Sequence, residues 1–486
     1  MEQSQLVELI RTLSTQEKEH ILQFASLSMF NQGRMRVQVG PLLDICLNHP
    51  WHDPEQKLEK KAVFSKLFHA QEFIEGKLEK VMVDAHKVIR TFLLTQNYFQ
   101  EENEFHQVYD FSEIVRKRGL ELRHQHLITK LQKIQDEFPW GNTDFFHRQY
   151  VLEKTIHEQA CFYNQAKGDL NVPNTLQALE QNFHLNRLTL LNSFMLQQKI
   201  TSLQIPESIR PLIEACQVPI KYLETSPTIK INNEIFTLLK KDCPVPSDVR
   251  TLFDLLLLHE KELYPANLPE FYSYLRNLCV LISNLFFDNE EIRVTLFELY
   301  HDNLQRGYLH CEGKIHPSVY LAVSVAAVRV NQFDWALEFI EKYKSELYGE
   351  NEEQDIYRLN KAIYLFGVAK FSECLDYIPA SSPLVNHLFV GKRLELKALY
   401  ELKSDLFSYK LDAFKMFLNR TSQKLLSGYI RQTNVDFANL LTQITTSLPG
   451  DQKRAERVIK RIEENTQSAE WRWLLTKAKE LKGKIT

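Results

Sequence analysis

The segment 320–417 constrains the fold most, because within it the sequence repeats itself. A shift of 38 residues aligns residues 324–328 with residues 362–366. A further shift of 36 residues aligns residues 361–364 with residues 397–400. A period of this length, with small residues at fixed places, is typical of helical hairpins that stack on one another. The pattern therefore predicts an all-α chain in which short helices pack in pairs.

Small residues recur at matching positions of the repeat. A small side chain lets two helices approach closely, and bulky neighbours then interdigitate around it. We therefore expect the following residues to lie at helix contacts: Ser324, Ala336, Ala362 and Ala398. Replacing Ala336 or Ala362 by Trp should overpack the contact and destabilise the fold by about 1–3 kcal/mol or more.

Residues 320–340 resemble a tetratricopeptide repeat. The large and small positions typical of that family coincide with Tyr320, Val323, Ser324, Ala327, Ala336 and Ile340. The second copy keeps Ala362, Leu365, Cys374 and Ile378. The chain departs from the family where Ser324 replaces Gly and Ala327 replaces an aromatic residue, and no Pro closes the hairpin. In the second copy, Arg358 and Lys361 stand where large apolar residues are usual.

The resemblance covers residues 316–420, about a fifth of the chain. It implies an α-solenoid, tetratricopeptide-like in the C-terminal half, whose concave surface binds a peptide or a protein, and it implies no enzymatic activity. The substitutions in the repeat are mostly small or apolar, so we expect the chain's own helices to occupy part of the inner face. The last helical stretch, 453–481, is expected to cap the stack with Trp471 and Trp473 turned inward.

Glycine and proline indicate how the rest of the chain is organised. Only 14 Gly occur, and none lies between Gly168 and Gly307, which suits helices joined by polar loops. Six of the 17 Pro fall between Pro206 and Pro246, and the run 243–247 is the best candidate for a linker. We predict three regions: an N-terminal helical bundle (1–100), a middle helical region with a Pro-rich end (101–243), and the repeat domain with its capping helix (247–486).

One helix start is marked clearly near the N-terminus. Ser14 is followed three residues later by Glu17, which is the spacing of a capping box. We expect a helix to begin there and to continue through residues 21–24.

Overall charge and cysteine usage narrow the class of protein. The 59 basic residues nearly balance the 62 acidic ones, so a net charge of −3 gives no whole-chain case for binding nucleic acid or membranes. Seven scattered Cys without a CxxC pair are typical of reduced thiols in an intracellular protein. The N-terminus lacks the pattern of a signal peptide, and the most apolar window, 278–287, is too short to span a bilayer. We expect a cytoplasmic protein.

Motifs for catalysis and metal binding are incomplete. His259 begins a sequence like HExxH, but Leu263 stands at the second His position. His310, Cys311 and His316 are potential zinc ligands, yet no second pair lies nearby, and a structural zinc site needs four ligands. No GxSxG, P-loop or GxGxxG occurs. We therefore expect no metal, no cofactor and no enzymatic activity, with an active site dispersed over the helices as an alternative.

A basic run in residues 115–133 supports a second alternative, nucleic-acid binding. The cations that would contact phosphates are Arg116, Lys117, Arg118 and Arg123. Helical spacing distributes these charges around the helix, and aromatic residues for base stacking are absent from the run. A solvated helix surface or contact with an acidic protein would account for the same pattern.

The main prediction for function is a scaffold or adaptor that binds a protein or peptide partner. Arg329, Arg358 and Arg393 lie on or near the first helices of the three repeat copies. Their guanidinium groups could clamp carboxylates of the partner through paired hydrogen bonds. The alternative for each is an ordinary surface salt bridge. The identity of the partner and the oligomeric state stay open.

Overall fold

The structure is a computed structural model that describes residues 1, 3–51, 58–69, 71–138, 140–163, 170–201, 204–285, 289–347, 353–382, 384–422, 428–447 and 451–483. Helices dominate these residues, which confirms the all-α prediction. The described strands are β1 (His310–Cys311) and β2 (Lys314–Ile315), which pair in an antiparallel arrangement. The chain divides into two compact units, 1–137 and 138–486.

The first unit contains helices α1 to α7. Their bounds are α1 (Gln5–Thr12), α2 (Thr15–Ser26), α3 (Arg36–Leu47), α4 (Lys60–Leu67), α5 (Lys77–Tyr98), α6 (Glu104–Lys117) and α7 (Glu121–Asp136). Apolar faces of α1 to α5 form one hydrophobic core. The capping box at the start of α2 is confirmed: Ser14 Oγ accepts a hydrogen bond from the Glu17 N–H at 3.3 Å, and the Glu17 carboxylate accepts one from the Ser14 N–H at 2.7 Å.

The second unit contains the remaining helices. Those up to α15 are α8 (Thr143–Tyr163), α9 (Val172–Thr201), α10 (Arg210–Glu214), α11 (Ile220–Thr225), α12 (Pro227–Lys240), α13 (Pro246–His259), α14 (Leu268–Leu285) and α15 (Glu290–Gln305). The rest are α16 (Pro317–Arg329), α17 (Phe333–Lys342), α18 (Glu353–Gly367), α19 (Phe371–Tyr377), α20 (Val385–Glu401), α21 (Phe407–Arg420), α22 (Gly428–Thr445), α23 (Gln452–Glu464) and α24 (Trp471–Gly483). Short 3₁₀ turns lie at Glu101–Asn103 in the first unit and at Glu260–Glu262, Pro265–Asn267 and Lys344–Glu346 in the second.

The Pro-rich run 243–247 lies inside the second unit. One hydrophobic core continues across it, because side chains of both α12 and α13 belong to the same cluster. The run ends in a tight helix start: the Asp248 carboxylate accepts hydrogen bonds from the Val245 N–H at 2.8 Å and from Lys241 Nζ at 2.7 Å. Pro246 occupies the first turn of α13, where its missing N–H leaves no helical hydrogen bond unmade. The chain thus divides into compact units at 137/138, whereas the sequence predicted boundaries near residues 100 and 243. The division into three regions stays a prediction.

Three consecutive helix pairs occupy the segment in which the sequence repeats. They are α16 with α17, α18 with α19, and α20 with α21. The first helices contact one another along the chain, α16 with α18 and α18 with α20. The small residues of the repeat are all 0% exposed, as predicted for helix contacts: Ser324, Ala336, Ala362 and Ala398.

The turn inside each helix pair has the same hydrogen bond. The residue at the turn is left-handed in every case: Asn331, Ala369 and Lys403, with φ of 59°, 59° and 50°. The next N–H donates to a carbonyl five residues back, at 3.0 Å (Gln332 to Ala327), 2.9 Å (Lys370 to Leu365) and 3.0 Å (Ser404 to Leu399). This is the Schellman turn that usually places Gly at its left-handed position. Because none of the three is Gly, a search of the sequence for Gly at helix ends does not find these turns.

Replacing Ala369 by Gly is therefore expected to stabilise the chain by about 0.5–1 kcal/mol. A left-handed backbone costs a residue with a Cβ about 1–2 kcal/mol, and part of that gain is offset by the greater freedom of Gly in the unfolded chain. The Ala369 side chain is exposed, so no packing is lost. Urea denaturation measures the change. Ala322→Gly, in the middle of α16, is the control and should lower stability by about 1 kcal/mol. Equal losses in both variants would contradict the expectation.

None of the described helices combines the length and the apolar character that a crossing of the lipid bilayer requires.

Candidate functional site

The turn between α23 and α24 brings Glu470 against the first helix of the third pair. Glu470 has a φ of 55°, and the N–H of the preceding Ala469 donates to the carbonyl of Thr433 on α22 at 3.0 Å. Glu470 then accepts hydrogen bonds from two cations of α20, Lys397 Nζ at 2.8 Å and Arg393 Nε at 3.3 Å. The backbone of the turn is thus fixed to α22, while its carboxylate is fixed to α20.

The charge balance around Glu470 favours its ionised form. Its side chain is 25% exposed, and those of Arg393 and Lys397 are 13% and 11% exposed. Burial by itself would raise the pKa of the Glu470 carboxyl, but the charges of Lys397, Arg393 and Arg329 and the hydrogen bond from Lys397 lower that pKa well below its usual range. Glu470 is therefore a carboxylate at any pH near neutrality.

Aromatic contacts fasten α24 to α20 beside this ion pair. Lys397 Nζ lies 4.5 Å from the ring centroid of Phe366 and 5.9 Å from that of Trp473. Trp473 Nε1 donates to Glu401 Oε1 at 2.9 Å, and the same oxygen lies 2.9 Å from Lys477 Nζ. Glu470, just before α24, thus presents a carboxylate, and Trp473, three residues later in the first turn of α24, presents an indole.

A cavity of about 600 Å³ opens next to Glu470, within the second unit. We name it the inner cavity. It is lined by Lys199, Ile200, Asp242, Pro244, Val280, Leu281, Arg293, Arg329, Tyr429, Thr466, Gln467, Ser468, Ala469, Glu470, Trp471, Arg472 and Trp473. Helices α9, α14, α15, α16, α22 and α24 therefore all contribute to its wall, so distant parts of the unit meet there.

The lining of the inner cavity carries more positive than negative charge. Its cations are Lys199, Arg293, Arg329 and Arg472, and its carboxylates are Asp242 and Glu470. Glu470 already bonds to Arg393 and Lys397. Desolvation by the surrounding protein lowers the pKa of the Arg329 guanidinium. Glu470 opposes this decrease and Arg293 adds to it. The Arg329 side chain is nevertheless exposed to solvent, which moderates the decrease. The cavity is thus an environment that attracts an anion.

Arg293 and Arg329 have no bonded counter-charge in the part of the chain that the structure describes. Neither forms a hydrogen bond or an ion pair with a described residue, and Nε of Arg293 is buried without an acceptor there. The buried Arg293 Nε gains free energy when an acceptor reaches it, because it has none among the described residues, and the exposed Arg329 presents its guanidinium group to a ligand. These two guanidinium groups are therefore the main candidate ligand contacts.

The structure brings two of the three predicted clamp residues together. Arg329, on α16, lines the inner cavity, and Arg393, on α20, lies beside it, bonded to Glu470 and to Asn434 Oδ1 at 2.7 Å. Arg358 lies elsewhere: its Nη2 donates to the carbonyl of Asp376 at 2.8 Å, near the end of α19. The predicted role of these arginines in binding a partner stays a prediction.

Several residues of this site carry no recognisable signal in the sequence. Arg293, Lys397 and Glu470 belong to α15, α20 and the turn before α24 and have no shared motif. Lys397 and Glu470 are 73 residues apart, so no local spacing connects them. The one indirect indication was Trp471 and Trp473, which were predicted to turn inward; Trp471 is indeed buried, 7% exposed.

The histidines of the incomplete metal motifs contact carboxylates or cap a helix. His259 Nδ1 lies 2.8 Å from Glu262 Oε1, and His310 Nε2 lies 2.9 Å from Glu346 Oε2. His316 caps the N-terminus of α16. No group of three or more His, Cys, Asp or Glu within the described ranges is placed to hold a metal ion.

Three cysteine thiols are unsuited to nucleophilic catalysis. Burial raises the pKa of Cys46, Cys279 and Cys374 to about 12. At neutral pH these thiols stay protonated, and the thiolate is the reactive form.

The predicted basic surface lies around the turn between α6 and α7, in the first unit. Arg116 pairs with Glu113, with Nη2 and Oε2 2.6 Å apart. Lys117, Arg118 and Arg123 are exposed. Nucleic-acid binding by these residues stays a prediction.

Comparison with known proteins yields no relative. No protein-family model matches the sequence, and neither the curated proteins nor the solved structures contain a significant match. The inner cavity and its charges are therefore the basis for a functional proposal.

Proposed function

We propose that the chain is a non-enzymatic scaffold that binds an acidic segment of a protein partner in the inner cavity. The observation that supports this most directly is the pair Arg293 and Arg329, which line the cavity without a bonded counter-charge among the described residues. Guanidinium groups bind carboxylates through two parallel hydrogen bonds, which gives both affinity and orientation. An acidic side chain of a partner would pair with the exposed Arg329 and would give Arg293 the acceptor that it lacks among the described residues.

The size and the aromatic lining of the cavity also support a peptide ligand. Its volume of about 600 Å³ lies in the range of specific ligand sites. Tyr429, Trp471 and Trp473 add aromatic surface to the arginines. Arginine, tryptophan and tyrosine together are the residues most enriched where protein segments bind.

The arrangement of the helix pairs supports a repeat scaffold. Three successive pairs share one turn geometry, and their first helices contact one another in chain order. We propose that residues 316–420 form tetratricopeptide-like hairpins within an α-solenoid, and that the solenoid presents its inner face to the partner. On this proposal the C-terminal turn at Glu470 covers one part of that face and the inner cavity is the part left open.

Arg329→Ala is expected to lower the affinity for acidic peptides about tenfold or more. Loss of a charge-assisted hydrogen bond removes about 1.5–3 kcal/mol, and 1.4 kcal/mol is a factor of ten in affinity. The measurement is fluorescence polarisation of the full chain with labelled twelve-residue peptides rich in Asp, Glu and aromatic residues. Wild-type affinity should also fall as salt is raised, since the contacts are electrostatic.

Arg358→Ala is the matched control, because Arg358 is a repeat arginine outside the cavity lining. Its affinity should equal that of the wild type. A second control replaces every acidic residue of the peptides by Lys and should abolish binding. If acidic peptides do not bind, or if both arginine variants bind as the wild type does, the inner cavity is not the partner site.

A further inference from the structure

We infer that Glu470 and Trp473 are an internal ligand of the scaffold, and that the partner's segment carries the same pair: a carboxylate and, three residues later, an indole. This inference rests on the proposed function, since it names the chemistry of the partner and the contact that the partner displaces. Glu470 immediately precedes α24 and Trp473 lies in its first turn, so the two groups are three residues apart at the start of one helix.

The contacts of Glu470 and Trp473 are those expected of a bound segment. The carboxylate receives hydrogen bonds from a lysine and an arginine of α20, at 2.8 Å and 3.3 Å. The indole N–H donates to Glu401 at 2.9 Å, and its ring faces Lys397. Lys397 is thus held between an anion and two aromatic rings, an arrangement that another acidic and aromatic segment would reproduce.

The internal carboxylate leaves part of the positive charge unneutralised. Arg393 and Lys397 are bonded to Glu470, whereas Arg293 and Arg329 lie beside it without bonded anions in the described structure. The left-handed backbone of Glu470 adds a conformational cost to the internal contact. A partner segment that presents its carboxylate without a left-handed residue would avoid this cost, and it could bring a second carboxylate to the two remaining arginines.

Displacement of Glu470 does not require the C-terminal helices to unfold. Leu474 and Leu475 anchor α24 in the hydrophobic core, at 0% and 6% exposed. Arg472 donates to the carbonyl of Ser283 on α14. The backbone at the start of α24 is therefore held in place, and the side chains of Glu470 and Trp473 are the part that can exchange. An external ligand can bind only when Glu470 has left the site. Its apparent affinity is therefore the intrinsic affinity multiplied by the fraction of molecules in which the site is open.

The test uses a peptide of the chain's own sequence 466–477, labelled with fluorescein, and the full-length protein. Glu470→Gln removes the internal charge and keeps the size of the side chain. We expect this variant to bind the peptide about tenfold more tightly than the wild type, and a peptide with Gln in place of Glu not to bind. Equal or weaker binding of the peptide by Glu470→Gln overturns the inference.

Trp473→Phe is the second variant, since it removes the internal indole N–H and leaves Glu401 free to accept a hydrogen bond from the indole of the peptide. It should also tighten binding, by a smaller factor, and it tests the inference even if Glu470→Gln does not fold. Circular dichroism verifies the fold of each variant. If wild-type binding of acidic peptides depends on Arg329 but neither variant tightens binding of the 466–477 peptide, the inference alone fails. If no acidic peptide binds any form, the proposed function fails and the inference with it.

Discussion

Replacing Ala362 by Trp is expected to lower the free energy of unfolding by about 1–3 kcal/mol or more. Ala362 lies in the middle of α18 and is 0% exposed. An indole there would need space that the close-packed interior does not contain, so backbones or neighbouring side chains must shift. The helices come close in the same region: a Cβ added at Gly367, near the end of α18, would lie 2.6 Å from Val328 Cγ1.

Urea denaturation followed by circular dichroism measures this loss, because the added Trp would change the fluorescence of the protein. Glu373→Trp is the control, since Glu373 lies on α19 with a side chain that is 56% exposed. Its stability should stay within about 0.5 kcal/mol of the wild type. Equal midpoints for Ala362→Trp and the wild type would mean that the helices do not approach closely at this residue.

Acidification from pH 6.5 to pH 4 is expected to remove up to about 3 kcal/mol of stability through His387 alone. His387 is 3% exposed, on α20. Burial lowers the pKa of its imidazole from 6.5 to about 4, and the charge of His316 contributes in the same direction. Below pH 6.5 the imidazole of His387 binds a proton in the unfolded chain, whereas in the folded chain it stays neutral down to about pH 4. Stability therefore falls as the pH falls through this window and is unaffected by His387 above it.

The difference between the wild type and His387→Phe isolates this effect. Both proteins are denatured with urea at pH 8, 6, 5 and 4.5, and the variant should lose less stability on acidification. Glu470 acts in the same direction: its pKa is lowered in the folded state, so it stabilises the fold above pH 4.5, and this contribution is lost as the pH falls further. Because Glu470 is present in both proteins, its effect cancels in the comparison. Parallel pH profiles would show that His387 accepts its proton in the folded state.

The helix pairs could be predicted because the sequence pattern that produces them, small residues between helices, recurs at a regular spacing. Ser324, Ala362 and Ala398 recur at nearly constant spacing, and a small residue between two helices has the same effect in each copy. The capping box at Ser14 was predictable for a related reason, since both of its hydrogen bonds connect residues three positions apart.

Two features could not be predicted by the same reasoning. The left-handed turns at Asn331, Ala369 and Lys403 lack the Gly that would have marked them, because the hydrogen bonds of each turn hold a less favourable residue in place. The break at 137/138 lies beside a single Pro, at position 139, and has no Pro-rich run, whereas the Pro-rich run 243–247 lies within one continuous core. In both cases the surrounding contacts override the local preference.

The sequence by itself determined that this chain is helical, that residues 320–417 form similar helix pairs, and which small residues lie between the helices. These properties depend on neighbours within one or two turns or on a regular period. Only the tertiary structure decided that Arg329 and Arg393 meet around Glu470, while Arg358 bonds to a backbone carbonyl elsewhere. The physical reason is that a charge pair depends on distance in space, and the fold of α20, α22 and α24 brings together residues that are 73 positions apart along the chain.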